Sequence, residues 1–208
     1  MNTIAILYTH NLSGQLELLP QLYTFIRELK TPYSSGELGK TVVILLDLGD
    51  TCSPDAWHCD ATDNRSMLVG LDGMGYQAVN VQETLSVESR AKLEEQVTLM
   101  LVDDNHPHMY IGKIALETQD GRFFQPSTPD LAINLTTQEE TTLKDNRLSL
   151  IGLEGMQVGV AVLTGSPYEL THTSVHDLPQ NTNPDPTIAG VVEFIISEAR
   201  YYQNRKSD

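Results

Sequence analysis

The sequence predicts an α/β fold: a mostly parallel sheet flanked by helices, followed by an antiparallel or mixed second half. Three observations predict it. Short apolar runs alternate with helix-spaced stripes through the first hundred residues. The run Thr41 to Leu46 (TVVILL) is β-branched and apolar on both faces, as a strand covered on both sides must be. From Val97 onward the pattern changes to strand-like runs joined by polar turns.

Thr3 to Tyr8 reads as the first buried strand, and His10 to Gln15 as the polar turn after it. Leu16, Leu19, Leu22, Tyr23, Phe25, Ile26 and Leu29 then recur at helical spacing, predicting a helix to about Lys30 with Pro20 in its first turns. Thr31 to Lys40, with Pro32 and two glycines, reads as a loop. The second strand runs into Asp47-Leu48-Gly49-Asp50-Thr51, a polar cluster at the strand end where open α/β sheets bind ligands. A helix is expected over Asn64 to Met74, stopped by Gly75, and a strand over Tyr76 to Val81. An acidic helix should follow over Val87 to Gln96, capped by Ser86.

In the second half, Val97 to Val102, His108 to Glu117, Leu148 to Gly152 and Gln157 to Leu163 read as strands. The last two are expected to form a hairpin turning near Gly155. Thr171 to Pro184 is rich in Thr, Asn, Asp and Pro and reads as an exposed loop carrying solvated His172 and His176. Asp185-Pro186 supplies an N-cap and a first helical proline for a final helix, with Ile188, Val191, Val192, Ile195, Ile196 and Ala199 as its buried stripe. Residues 1–202 are read as one domain and residues 203–208 as a frayed tail.

The 208 residues suffice for one sizeable core. A net charge of −15, from 13 basic against 28 acidic residues, leaves no basic surface for nucleic acid phosphates. No apolar stretch approaches the length of a membrane span, and the first residues do not form a signal peptide, so a cytoplasmic protein is expected. Cys52 and Cys59 are read as two free thiols; pairing or a shared metal are the alternatives. His58 with Cys52, Cys59 and Asp60 has a composition zinc accepts, but the spacing matches no zinc motif and a loop is expected. His106-Pro107-His108 reads as a turn, and His10 as a residue making a local hydrogen bond.

Four segments in series resemble the catalytic domain of the calcineurin-like metallophosphoesterases, in its 5′-nucleotidase form. They are Ile6 to Glu17 (ILYTHNLSGQLE), Val43 to Thr51 (VILLDLGDT), Leu71 to Val81 (LDGMGYQAVNV), and Met156 to Leu163 with the helix Asp185 to Arg200. The resemblance implies a truncated α/β sandwich that stops short of the family's later histidine segments. In the family, two divalent cations clamp a phosphoryl group and activate water. The family's first ligand Asp falls on Asn11, its His on Ser13, its bridging Asp on Asp50, and its Asn-His pair on Glu83 and Thr84. Only Asp50 is intact, so these are degenerate positions and no residue is assigned as catalytic.

With those losses, the resemblance implies a non-catalytic descendant: a cytoplasmic subunit, scaffold or small-ligand sensor without a cofactor. The alternative is a metal-dependent phosphoesterase or nucleotidase with an altered site. There Asn11, Asp50 and Glu83 would hold one divalent cation such as Mg²⁺ or Mn²⁺. The expected partners are a second copy, through a sheet edge left exposed, and a small phosphorylated ligand.

Overall fold

The computed structural model describes residues 3–34, 41–82, 84–118 and 129–206. Four strands run parallel: β1 (Thr3–Thr9), β2 (Thr41–Asp47), β3 (Ala78–Asn80) and β4 (Met100–Val102). β10 (Gln157–Gly165) joins β1 antiparallel, and β11 (Tyr168–Asp177) lies outside it, giving the order β11-β10-β1-β2-β3-β4. A second, mixed sheet has the order β5-β6-β7-β9-β8. Its strands are β5 (His108–Ile111), β6 (Ile114–Glu117), β7 (Leu131–Asn134), β8 (Thr142–Lys144) and β9 (Arg147–Ser149). The α-helices among the described residues are α1 (Leu19–Ser34), α2 (Trp57–Ala61), α3 (Arg65–Gly73), α4 (Val87–Glu94) and α5 (Pro186–Lys206).

Alternation along the strands of the first sheet explains the layering. Leu7, Leu45, Val79, Leu101, Val158 and Val160 share one core with Leu22, Ile26, Met67, Leu71, Ile188 and Ile195 of the helices. Ile4, Ile6, Tyr8, Ile44, Leu46 and Leu163 face the other way, onto Leu116, Ile133 and Leu148 of the second sheet. The inner strands of the first sheet are therefore buried on both sides, as their continuous apolar runs require. The outcome is an α/β sandwich of helices, sheet and sheet, as expected.

Several boundaries differ from expectation, each for a local reason. α1 continues through Pro32 to Ser34, where a loop was expected. Pro32 falls in the last turn, where few bonds are lost, and Thr31 and Ser34 bond the carbonyls of Arg27 and Lys30 through their hydroxyls. The expected hairpin around Gly155 does not form, because β9 belongs to the second sheet and β10 to the first. The polar segment after Leu170 is not a loop up to Asp177: it is most of β11, paired along the length of β10. α2 lies where a loop was expected, and α5 runs to Lys206, whose ammonium reaches Asp60 O at 2.7 Å and Asp63 Oδ1 at 3.1 Å.

Capping followed the sequence more closely. Ser89 N donates to Ser86 Oγ at 3.1 Å, and Thr187 N and Ile188 N donate to Asp185 Oδ1 at 2.9 and 3.2 Å. Gly75, at φ +79°, closes α3 in the left-handed conformation glycine favours.

The two cysteines are paired. Cys52–Cys59 is a disulfide with Cα atoms 5.8 Å apart, a correction to the free-thiol reading. It ties the segment after β2 to α2, which is too short to be stable alone. The zinc composition noted around His58 is thereby dissolved. That ring instead contacts Ser66 Oγ through Nδ1 at 2.8 Å and Gly14 O through Nε2 at 2.9 Å.

Candidate functional site

The loops that leave β1 and β2 run side by side, joined by a ladder of backbone bonds. Leu48 N donates to Thr9 O at 2.9 Å, Asn11 N to Gly49 O at 2.9 Å, Ser13 N to Asp50 O at 3.0 Å, and Gly14 N to Thr51 O at 2.7 Å. The ladder needs unusual backbone: Asn11, Ser13 and Asp50 have φ of 55°, 50° and 53°. Left-handed conformations cost an L-residue about 1 kcal/mol or more, least for Asn and Asp. Gly14 has no alternative, since a Cβ there would stand 2.4 Å from Ala56 Cβ.

Beneath the ladder lies a buried polar chain. Asp47, inaccessible to solvent, accepts from Thr9 Oγ1 at 2.6 Å and from Gly49 N at 2.9 Å, and Thr9 Oγ1 lies 3.0 Å from the Tyr76 hydroxyl. Burial pushes the Asp47 carboxyl up to about 7. The Thr9 and Gly49 bonds oppose that rise, and the nearby Asp50 charge adds to it. Burial, and then the Asp47 charge, push the Tyr76 phenol upward as well. Asp47 is thus a brace for the loop.

Asp50 points outward, its side chain 72% exposed, into a polar cleft of about 270 Å³ lined by His10, Asn80, Gln82, Thr136 and Thr137. The cleft lies at the C-terminal ends of β1, β2 and β3, with the loop after β7 opposite. His10 Nε2 stands 3.3 Å from Asp50 Oδ2, while Nδ1 lies 2.8 Å from Leu153 O and 3.2 Å from Leu153 N. The bond expected to be local therefore spans 143 residues. Asn80 donates through Nδ2 to Leu48 O and Leu135 O, both at 3.3 Å, and accepts from Gln82 N at 3.0 Å. It clamps the two sides of the cleft together.

Of the family-site positions named from the sequence that lie among the described residues, Asp50 alone lines this cleft. Asn11 and Ser13 close on one another, with Ser13 Oγ donating to Asn11 Oδ1 at 2.5 Å. The Thr84 hydroxyl is spent on Val81 O at 2.7 Å. Glu83 lies outside the described residues. The sequence reading missed His10 and Asn80 as cleft residues. A register argument could have found both, since Thr9 pairs with Asp47 and Asp47 with Val79, so the next residues share one row.

The donor set does not fit a pair of cations: two of the family's ligand positions hold Asn and Ser, which satisfy each other. Among the described residues no group of three His, Cys, Asp or Glu side chains could hold a metal. Among the described residues that line the cleft, the Asp50 carboxylate, the His10 imidazole and the Asn80 amide oxygen are candidate donors for a single cation. A larger hollow of about 470 Å³ opens behind the same loop, between Leu16, Glu17, Trp57, His58 and Ile196. It gathers none of the family positions.

No protein-family model matches the chain, and no curated protein matches it. Solved structures do, among them the NAD nucleotidase NadN of Haemophilus influenzae, with a TM-score of 0.58 and 10% sequence identity. The match covers 98% of this chain and 60% of that one. This likeness shows a shared fold, an α/β sandwich. Among the described residues no helix is long and apolar enough to cross a membrane.

Proposed function

We propose that the cleft is an altered phosphoesterase site, in which Asp50 and His10, with the Asn80 amide oxygen, hold a single divalent cation that engages a phosphate ester. The observation that carries this reading is the His10–Asp50 pair. If Nδ1 donates to Leu153 O, the Nε2 lone pair faces a carboxylate oxygen at 3.3 Å, and two acceptors that close need a proton or a cation between them. When bound, a cation would supply charge stabilisation to the phosphoryl oxygens. The chain's own part is positional: Leu153 fixes the ring, Asn80 fixes the floor, and the ladder fixes Asp50. NadN, which shares the fold, is named for acting on NAD; a nucleotide or related phosphate ester is accordingly the substrate class proposed here.

The test is hydrolysis of phosphomonoester, phosphodiester and dinucleotide substrates with Mn²⁺ or Mg²⁺. Turnover should require the cation and fall about 10- to 100-fold in Asp50→Asn and His10→Ala. A wild-type protein that releases no product from any of them overturns the reading.

The second reading is a non-catalytic subunit, scaffold or small-ligand sensor. The mutual closure of Asn11 and Ser13 favours it, because these side chains no longer reach for a ligand. It predicts stabilisation by a nucleotide without product, and self-association through the outer strand β11. The disulfide adds that either role is better suited to an oxidising setting than to the reducing cytoplasm first expected.

A further inference from the structure

We propose that His172 and His176 form a second, separate metal site on β11, a two-imidazole site for a divalent transition ion such as Zn²⁺, Cu²⁺ or Ni²⁺. The register creates it. Leu163 pairs with Leu170 but Val162 with His172, so Thr171 is the extra residue of a bulge. Leu170 packs against the core between the two sheets. Beyond the bulge, His172, Ser174 and His176 sit opposite Val162, Val160 and Val158, whose side chains belong to the helix-side core. The bulge thus switches the row to the other face of the sheet. Without it, all three side chains would lie on the face of Leu170.

The side chains then converge. Alternate residues of a strand stand about 6.8 Å apart, so two histidines four residues apart would ordinarily not meet. Here both rings lean inward to one oxygen: His172 Nε2 lies 3.1 Å and His176 Nε2 2.8 Å from Ser174 Oγ. A hydroxyl carries one proton, so it donates to one ring and accepts from the other. A zinc–imidazole bond is about 2.0–2.1 Å, so each nitrogen need close by only about 1 Å on an ion that takes the place of the hydroxyl oxygen, with the Ser174 side chain turned away to another rotamer. His172 is exposed and His176 half-buried, which leaves room for water to complete the coordination. Imidazole selects Zn²⁺, Cu²⁺ and Ni²⁺ over Mg²⁺ and Ca²⁺, and the net charge of −15 draws cations to the surface.

Calorimetric titration of the chelator-stripped full chain with Zn²⁺, and electron paramagnetic resonance with Cu²⁺, test the site. One ion should bind, with a Cu²⁺ spectrum showing two imidazole nitrogens. Affinity should fall at least about tenfold in His172→Ala and in His176→Ala. It should persist in Ser174→Ala, which frees both rings, and in His10→Ala, which touches only the cleft. Unchanged uptake by the His172→Ala/His176→Ala double variant overturns the proposal, as does loss of uptake in Ser174→Ala. These positions lie on the outer strand, and matched melting curves should show all variants folded. Failure here leaves the phosphoesterase reading standing, and the converse also holds.

Discussion

The cleft and the outer strand hold their histidines in opposite ways. His10 is 16% exposed, and its ring is fixed from a loop far away in sequence by Leu153. Around it the backbone sets the geometry, through the hydrogen-bonded ladder and three left-handed residues. On β11 the backbone only sets the face, and His172 and His176 are arranged by their own side chains around Ser174. The difference teaches where each region is fragile. The cleft should suffer from added atoms near its backbone, whereas the strand should tolerate them.

The largest expected effect is at Gly159, where a Cβ would stand 2.2 Å from the Tyr8 ring. Gly159→Ala should cost about 3 kcal/mol of unfolding free energy in urea titrations, because Tyr8 is packed between sheets and cannot yield. A loss below about 1 kcal/mol would show that the ring has somewhere to go. Next comes the Cys52–Cys59 bond. Its short loop predicts a loss of about 2–3 kcal/mol on reduction, read as a lower urea midpoint, with metal uptake on β11 unchanged. Equal midpoints for oxidised and reduced protein would remove the disulfide from the account of the cleft.

Asp47 gives a pH signature confined to the cleft. Burial raises its carboxyl to about 7 when folded, against an ordinary 3.8, so between those values the folded chain holds the extra proton. Stability therefore falls as pH rises from about 4 to about 7, by at most about 1.4 kcal/mol per unit. In Asp47→Asn this contribution should vanish, because an amide does not titrate, and its Nδ2 can still donate to Thr9 Oγ1 while Thr9 donates to Tyr76. A variant with the wild-type slope would assign the pH dependence elsewhere. The smallest effect belongs to β11: Thr173→Lys, on its exposed outer part, should change stability by less than about 0.5 kcal/mol. The same variant should weaken any self-association through that edge, read by sedimentation.

The sequence announced the parts of this fold that obey a period. β1 and β2 are apolar on both faces because both faces are buried, and α1, α3 and α5 carry stripes because one side faces the sheet. β11 was illegible for the converse reason: lying outermost, it has polar side chains on both faces and a bulge that breaks the alternation. α2 has five residues and is held by a disulfide that spacing alone left open. In the site, Asp50 was legible from its motif. His10 and Asn80 became visible only through strand register, because their partners Leu153, Leu48 and Leu135 offer backbone atoms that no side-chain motif records.

The left-handed residues at positions 11, 13 and 50 carry one further consequence. Aspartate adopts that conformation as readily as asparagine, and the loop path is set by main-chain bonds that ignore side-chain identity. Substituting Asn11→Asp and Ser13→His would thus ask little of the fold. In the space of possible sequences this chain stands only a few steps from a richer set of ligands, with the mould for them already cast.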